Sequence, residues 1–157
     1  MDCANAEDTQ AVARRLAGVL RAGDVVLLVG ELGAGKTTFT QGLADGLGVS
    51  VPVTSPTFTL VSSYPTKKGF DLLHVDVYRL ETPVEIAALG LAELLEDGAV
   101  ALIEWGLRAA SVLRPEYLMV HLSEAGTGRQ LSFSVLGERW EAAWGDLRGA
   151  LGGVDAT

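Results

Sequence analysis

Apolar positions change period twice within the first fifty residues. Val12, Leu16, Val19 and Leu20 fall on one helical face between Thr9 and Arg21, with Asp8 or Thr9 as candidate N-cap and Gly23 just past the end. The pattern then collapses into Val25-Val26-Leu27-Leu28-Val29, an unbroken apolar run that predicts a strand buried on both faces, as in a parallel sheet. Phe39, Leu43 and Leu47 restore a four-residue repeat, and Gly48 supplies the stop. Two prolines and a run of hydroxyls exclude helix from 51–59, which reads as a loop entering a strand through Thr59, Leu60, Val61 and Tyr64. Pro65 to Gly69 predicts a hairpin turn, with Phe70 to Tyr78 as the returning strand.

The second half follows the same logic. Thr82-Pro83-Val84-Glu85 is a capping box with proline in the first turn; Ile86, Leu89, Leu94 and Leu95 are the expected core positions, and Gly90 breaks the run in two. Ala99 to Ile103 predicts a second buried strand. Tyr117 to Ser123 and Arg129 to Val135 alternate on either side of Glu124-Ala125-Gly126-Thr127-Gly128, an antiparallel hairpin. Trp140, Trp144, Leu147 and Leu151 share one face of a last helix and are expected in the core, and the tail from Gly152 is expected to fray. With no repeat and no long linker, residues 1–151 read as one domain and 152–157 as a disordered tail.

The chemistry sits where the first buried strand ends. Gly30-Glu31-Leu32-Gly33-Ala34-Gly35-Lys36-Thr37 fits G-x-x-x-x-G-K-[ST], the phosphate-binding loop. Residues without a Cβ let the backbone curl so that successive N–H groups point at a polyanion, and the helix that starts here adds the positive end of its dipole. Lys36 brings a mobile charge for the β- and γ-phosphates; the Thr37 hydroxyl suits Mg²⁺. Gly33, Ala34, Gly35, Lys36, Thr37 and Thr38 are therefore the expected nucleotide contacts. A Mg–nucleotide enzyme also needs carboxylates where a buried strand ends, and two fit: Asp76 after Leu72-Leu73-His74-Val75, and Glu104 after Val100-Ala101-Leu102-Ile103. Which lies nearer the ion is open at this level. Thr57, in the hydroxyl-rich loop, could close on the ion in the manner of a switch, and Trp105 could cover the nucleotide. His74 and His121 read as strand residues with satisfied nitrogens. The one asparagine, Asn5, cannot supply a guanine-reading Asn-Lys-x-Asp element, which favours ATP.

Composition narrows the partners. Twelve basic against 20 acidic residues, net −8, disfavours direct gripping of a nucleic-acid backbone and leaves docking to proteins open. An acidic N-terminus without a signal pattern, and no apolar run near the roughly 20 residues that span a bilayer, predict a cytoplasmic chain without membrane contact. Cys3 is the sole cysteine, so no internal disulfide is possible.

Four blocks resemble the bacterial TsaE family, the P-loop ATPase of tRNA threonylcarbamoyladenosine (t6A) biosynthesis: 32–39 in the loop, 55–61, His74-Val75-Asp76-Val77-Tyr78-Arg79-Leu80, and Ile103-Glu104-Trp105. The resemblance implies a three-layer α/β P-loop NTPase domain whose parallel central sheet is extended by antiparallel strands. It implies ATP and Mg²⁺ as cofactors, with Thr37 and Glu104 on the metal, Lys36, Asp76, Glu104 and Thr57 in catalysis, and Thr9 and Arg129 near the nucleotide. It also implies two partner proteins, the threonylcarbamoyl transferase subunit and its paralogous scaffold, with tRNA reached only through them. No arginine stands out as a finger, so hydrolysis is expected to be feeble until partners join. The family often continues Glu-Trp-Pro with an acid or glutamine; here Gly106-Leu107 follows. A small-molecule kinase on the same fold, or a non-catalytic ATP switch, are the rival readings.

Overall fold

The period-2 and period-4 stretches meet in a seven-stranded sheet with helices on both faces. A computed structural model describes residues 1–56, 59–113 and 116–153. In chain order the elements are β1 (Asp2–Cys3), α1 (Ala6–Ala17), β2 (Val25–Val29), α2 (Lys36–Gly46), β3 (Val61–Pro65), β4 (Asp71–Asp76), α3 (Pro83–Ala87), α4 (Leu91–Glu96), β5 (Val100–Glu104), a 3₁₀ turn (Gly106–Arg108), β6 (Tyr117–Ala125), β7 (Gly128–Leu136) and α5 (Glu138–Leu151). The sheet order is β1-β7-β6-β2-β5-β4-β3. Strands β6, β2, β5 and β4 run parallel; β3 pairs antiparallel with β4 at one side, and at the other β7 pairs antiparallel with β6 and β1 antiparallel with β7. The expected architecture of a parallel centre with antiparallel extensions is what forms.

The unbroken apolar run of β2 is explained by its two faces. Val26 and Leu28 pack with Leu16 of α1, Phe39 and Leu43 of α2, and Trp140 and Leu147 of α5. Val25 and Leu27 face Ile86 of α3 with Leu91 and Leu95 of α4. Helices α1 and α2 approach closely because α2 carries glycine where they touch: a Cβ at Gly42 would stand 2.6 Å from the Gln10 backbone, and one at Gly46 2.7 Å from Ala17. That close contact fixes the axis of α2, and with it the direction in which the turn before Lys36 opens. Among the described residues no helix is long and apolar enough to cross a membrane.

Local corrections have physical reasons. Helix α1 is capped by Asn5, whose side chain accepts from the Asp8 N–H at 2.9 Å, so it starts before Asp8 and Thr9; it ends at Ala17 rather than near Arg21. Strand β3 starts at Val61, because Leu60 sits at φ 64°, a left-handed conformation that no strand contains. Leu94 faces outward, while Leu91 and Leu95 carry the contact of α4. The capping box at Thr82 and the break at Gly90 both form. Strand β1, two residues long, pairs with β7 and carries no pattern a sequence reading could register.

Candidate active site

Parallel neighbours end on the same edge of a sheet, so β2, β5 and β4 deliver their C-terminal residues to one place. Beyond β2 the chain turns through Gly30–Gly35, with Gly33 and Gly35 at φ 81° and 102°, before Lys36 opens α2. Such angles suit glycine alone without strain, which is why the loop needs it there. From β7, Arg129 braces this turn: Nε donates to the Ala34 carbonyl and Nη2 to the Gly33 carbonyl, each at 3.1 Å. Its Nη1 donates to Gly128 O at 2.8 Å, so the guanidinium supports the loop from its flank.

Lys36 is 7% exposed. Its ammonium donates to Gly30 O at 2.8 Å and Glu31 O at 2.9 Å, and lies 4.6 Å from the centre of the Trp105 ring. Burial pushes its pKa down; Glu104, Asp76 and Glu31 pull it back up. On the facing strands, Asp76 and Glu104 are register partners, 8% and 4% exposed. Asp76 Oδ1 accepts the Tyr78 N–H at 2.9 Å. Glu104 Oε1 is paired with His74 Nε2 at 3.1 Å, and His74 is fully buried. A cleft of about 420 Å³ lies between loop and strand ends, lined by Lys36, Thr37, Thr38, Asp76, Glu104 and Trp105 among others.

The predicted residues therefore fall into groups. Gly33, Gly35, Lys36, Thr37, Thr38, Asp76, Glu104 and Trp105 share the cleft. Ala34 contributes its carbonyl to the Arg129 brace. Thr9 is buried on α1, its hydroxyl on the Asn5 carbonyl at 3.5 Å, and with Arg129 it lines a recess of about 190 Å³ behind the loop, reached also by Gly33, Gly35 and Thr38. Thr57 lies outside the described residues. The sequence gives no role to Tyr78 or Arg79, which line the cleft together with Ser55 of the hydroxyl-rich loop. The expectation that His74 has both nitrogens satisfied is corrected: among the described residues its Nδ1 is buried without a partner. A second cavity, about 590 Å³, lies beside this cleft, with Leu32, Leu107, Leu122 and Trp105 among its walls. Leu107, at the family's often-polar position, is exposed on its wall. Lys36, Thr37, Asp76 and Glu104 line the smaller cleft instead.

The donor set fits a hard divalent ion held together with phosphate oxygens. Such an ion takes oxygen ligands, keeps several waters and needs only one or two carboxylates from the protein. Two side-by-side carboxylates and a threonine hydroxyl at the tip of α2 provide that, and burying two acids together calls for a cation between them. Among the described residues no group of three or more His, Cys, Asp and Glu is arranged to hold a metal ion by itself.

Comparison with known proteins agrees with this architecture. The family model described as "Threonylcarbamoyl adenosine biosynthesis protein TsaE" matches residues 3–131. A TsaE protein of Bacillus subtilis is 42% identical over 138 residues, spanning 87% of this chain and 85% of that protein. One from Streptomyces coelicolor is 44% identical over 137 residues, spanning 83% and 92%. The crystal structure of Bacillus subtilis YdiB superposes with a TM-score of 0.78 at 36% identity, covering 92% of this chain and 90% of the other.

Proposed function

The chain belongs to the TsaE family of threonylcarbamoyl adenosine biosynthesis, and from that premise we propose that it binds Mg·ATP in the loop of residues 30–37 and hydrolyses it to drive t6A formation on tRNA. One observation carries this reading: Lys36 and Thr37 face two register-paired, buried carboxylates, Asp76 and Glu104, across a single cleft. Loop amides and the Lys36 ammonium would neutralise the β- and γ-phosphates; Thr37 and Glu104 would hold Mg²⁺. When bound, the ion withdraws charge from the γ-phosphoryl oxygens. The Tyr78 amide occupies Asp76 Oδ1, and Oδ2 is the acceptor that would orient the attacking water. The Trp105 indole, beside Lys36, would lie against the bound phosphates, and the recess behind the loop, with Thr9 and Arg129, offers room for the nucleoside.

Work is done on two partners, the transferase subunit and its paralogous scaffold, with tRNA engaged by them. A net charge of −8 supports this division of labour. Mg·ATP titration should raise the melting temperature and change the Trp105 emission; no response at millimolar nucleotide overturns the reading. Phosphate release should be slow for the chain alone and rise with both partners present. Equal rates overturn the proposed coupling.

A further inference from the structure

We infer that His74 is a positioning residue that holds Glu104 away from Lys36, keeping the cleft open for a metal–nucleotide. The inference rests on the nucleotide reading above and concerns the site before nucleotide binds. A lysine and a carboxylate in one small, partly dehydrated cleft attract each other strongly. Lys36 feels Glu104 and Asp76, yet among the described residues no ion pair joins it to either. Each side is tethered instead: the ammonium to the Gly30 and Glu31 carbonyls, and Glu104 Oε1 to His74 Nε2.

The bland alternative is a histidine that merely fills the core of β4. Its own hydrogen bonding argues against that. His74 is fully buried, and its Nδ1 has no partner among the described residues. A phenylalanine or leucine would fill a strand buried on both faces without orphaning a polar atom. What an apolar residue cannot do is donate to Glu104. A carboxylate only accepts, so Nε2 carries the proton and Nδ1 the lone pair; a proton on Nδ1 would be a buried donor with no acceptor. Register completes the argument. His74 and Asp76 lie two apart on β4, opposite Leu102 and Glu104 of β5, so one face of two adjacent strands carries the tether and both acids.

The test is a four-cornered cycle read by binding of a fluorescent ADP in EDTA, where no metal contributes. His74→Phe should weaken ADP binding about tenfold, because the released Glu104 falls on Lys36 and must be displaced by phosphate. Glu104→Gln should bind no more weakly than wild type, and the double variant should match Glu104→Gln. An equal loss from His74→Phe in both backgrounds, or no loss at all, overturns the inference. Should His74→Phe fail to fold, His74→Gln and His74→Asn decide. The Gln amide N–H reaches the place of Nε2 and should retain wild-type affinity, whereas the shorter Asn should show the tenfold loss; equal affinities overturn the inference. If wild type binds no ADP with or without Mg²⁺, the proposed function falls and takes this inference with it. Failure of the cycle alone leaves that function standing.

Discussion

The parallel sheet carries buried ionised groups at both ends of its central strands, and the two ends treat them differently. Just before β2, Asp24 is saturated. Its Oδ1 accepts Arg139 Nε at 3.1 Å, and its Oδ2 accepts Arg139 Nη2 at 2.8 Å and the Arg21 amide at 2.7 Å. Arg139 also donates to the Val19 carbonyl and lies over the Trp140 ring, tying α5 to the loop that enters the sheet. At the other end, Glu104 and Asp76 each have one side-chain oxygen engaged, and Lys36 rests on two carbonyls. One end spends its charges on the fold. The other keeps hydrogen-bonding capacity in reserve at a cost in stability, as sites that must accept a ligand do.

The contrast breaks hardest at the Asp24–Arg139 end, where both carboxylate oxygens are engaged and, of the guanidinium nitrogens, Nη1 alone has no partner among the described residues. Asp24→Ala strands a guanidinium that is mostly buried, and such losses cost about 3–5 kcal/mol; the residual exposure of Arg139 puts this one near the lower figure. For a chain of this size that lowers the melting temperature by about 6–12 °C. Urea unfolding measures it, and nucleotide affinity of the folded protein should stay unchanged.

Lys36→Met inverts that result. Burial lowers the pKa of this lysine, so the folded state holds its charged form at a penalty that is fully present below the lowered value and relieved as pH rises through it. Removing the charge while keeping the stem should leave the melting temperature unchanged or raise it. Mg·ATP affinity should fall about 100-fold, the loss expected for one buried charge-assisted donor to phosphate. A destabilised Lys36→Met protein would show that the two ends differ less than their hydrogen bonds suggest.

The same division explains what the chain displays in one dimension. Local features were legible: the 25–29 run, the loop motif and the Thr82 capping box are contiguous, and each carries its own physical reason. Asp76 and Glu104 could be nominated singly, because an acid ending an apolar strand is a local pattern. That they stand opposite one another follows from β4 lying beside β5, which no local pattern encodes. The His74 tether to Glu104 depends on the same adjacency; in the sequence alone His74 reads as an ordinary strand histidine. The Arg129 brace joins residues some 95 apart in sequence, and only the family resemblance brought that residue near the nucleotide. Leu94 was misplaced because a helix of six residues offers too few turns to fix its apolar face.

The finest comparison asks whether Asp24 is held mainly by its partners or in spite of its burial. Burial raises its pKa, while the Arg21 amide and Arg139 oppose the rise without cancelling it. The folded chain therefore holds this proton more tightly than the unfolded chain. That contribution is fully present below the ordinary carboxylate range and is lost as pH rises through the raised value, the reverse of the usual behaviour of a paired acid. Asparagine has no proton to hold. The stability of wild type relative to Asp24→Asn should accordingly fall across that window and then level off, by less than either preceding effect. Paired urea midpoints from about pH 3 to 7 measure the difference while cancelling every other titrating group. A relative stability that rises with pH would mean that Arg139 outweighs burial. Asp24 would then be a stabilised anion, and the price of keeping charge inside this fold would fall on the cleft of Lys36 and Glu104 alone.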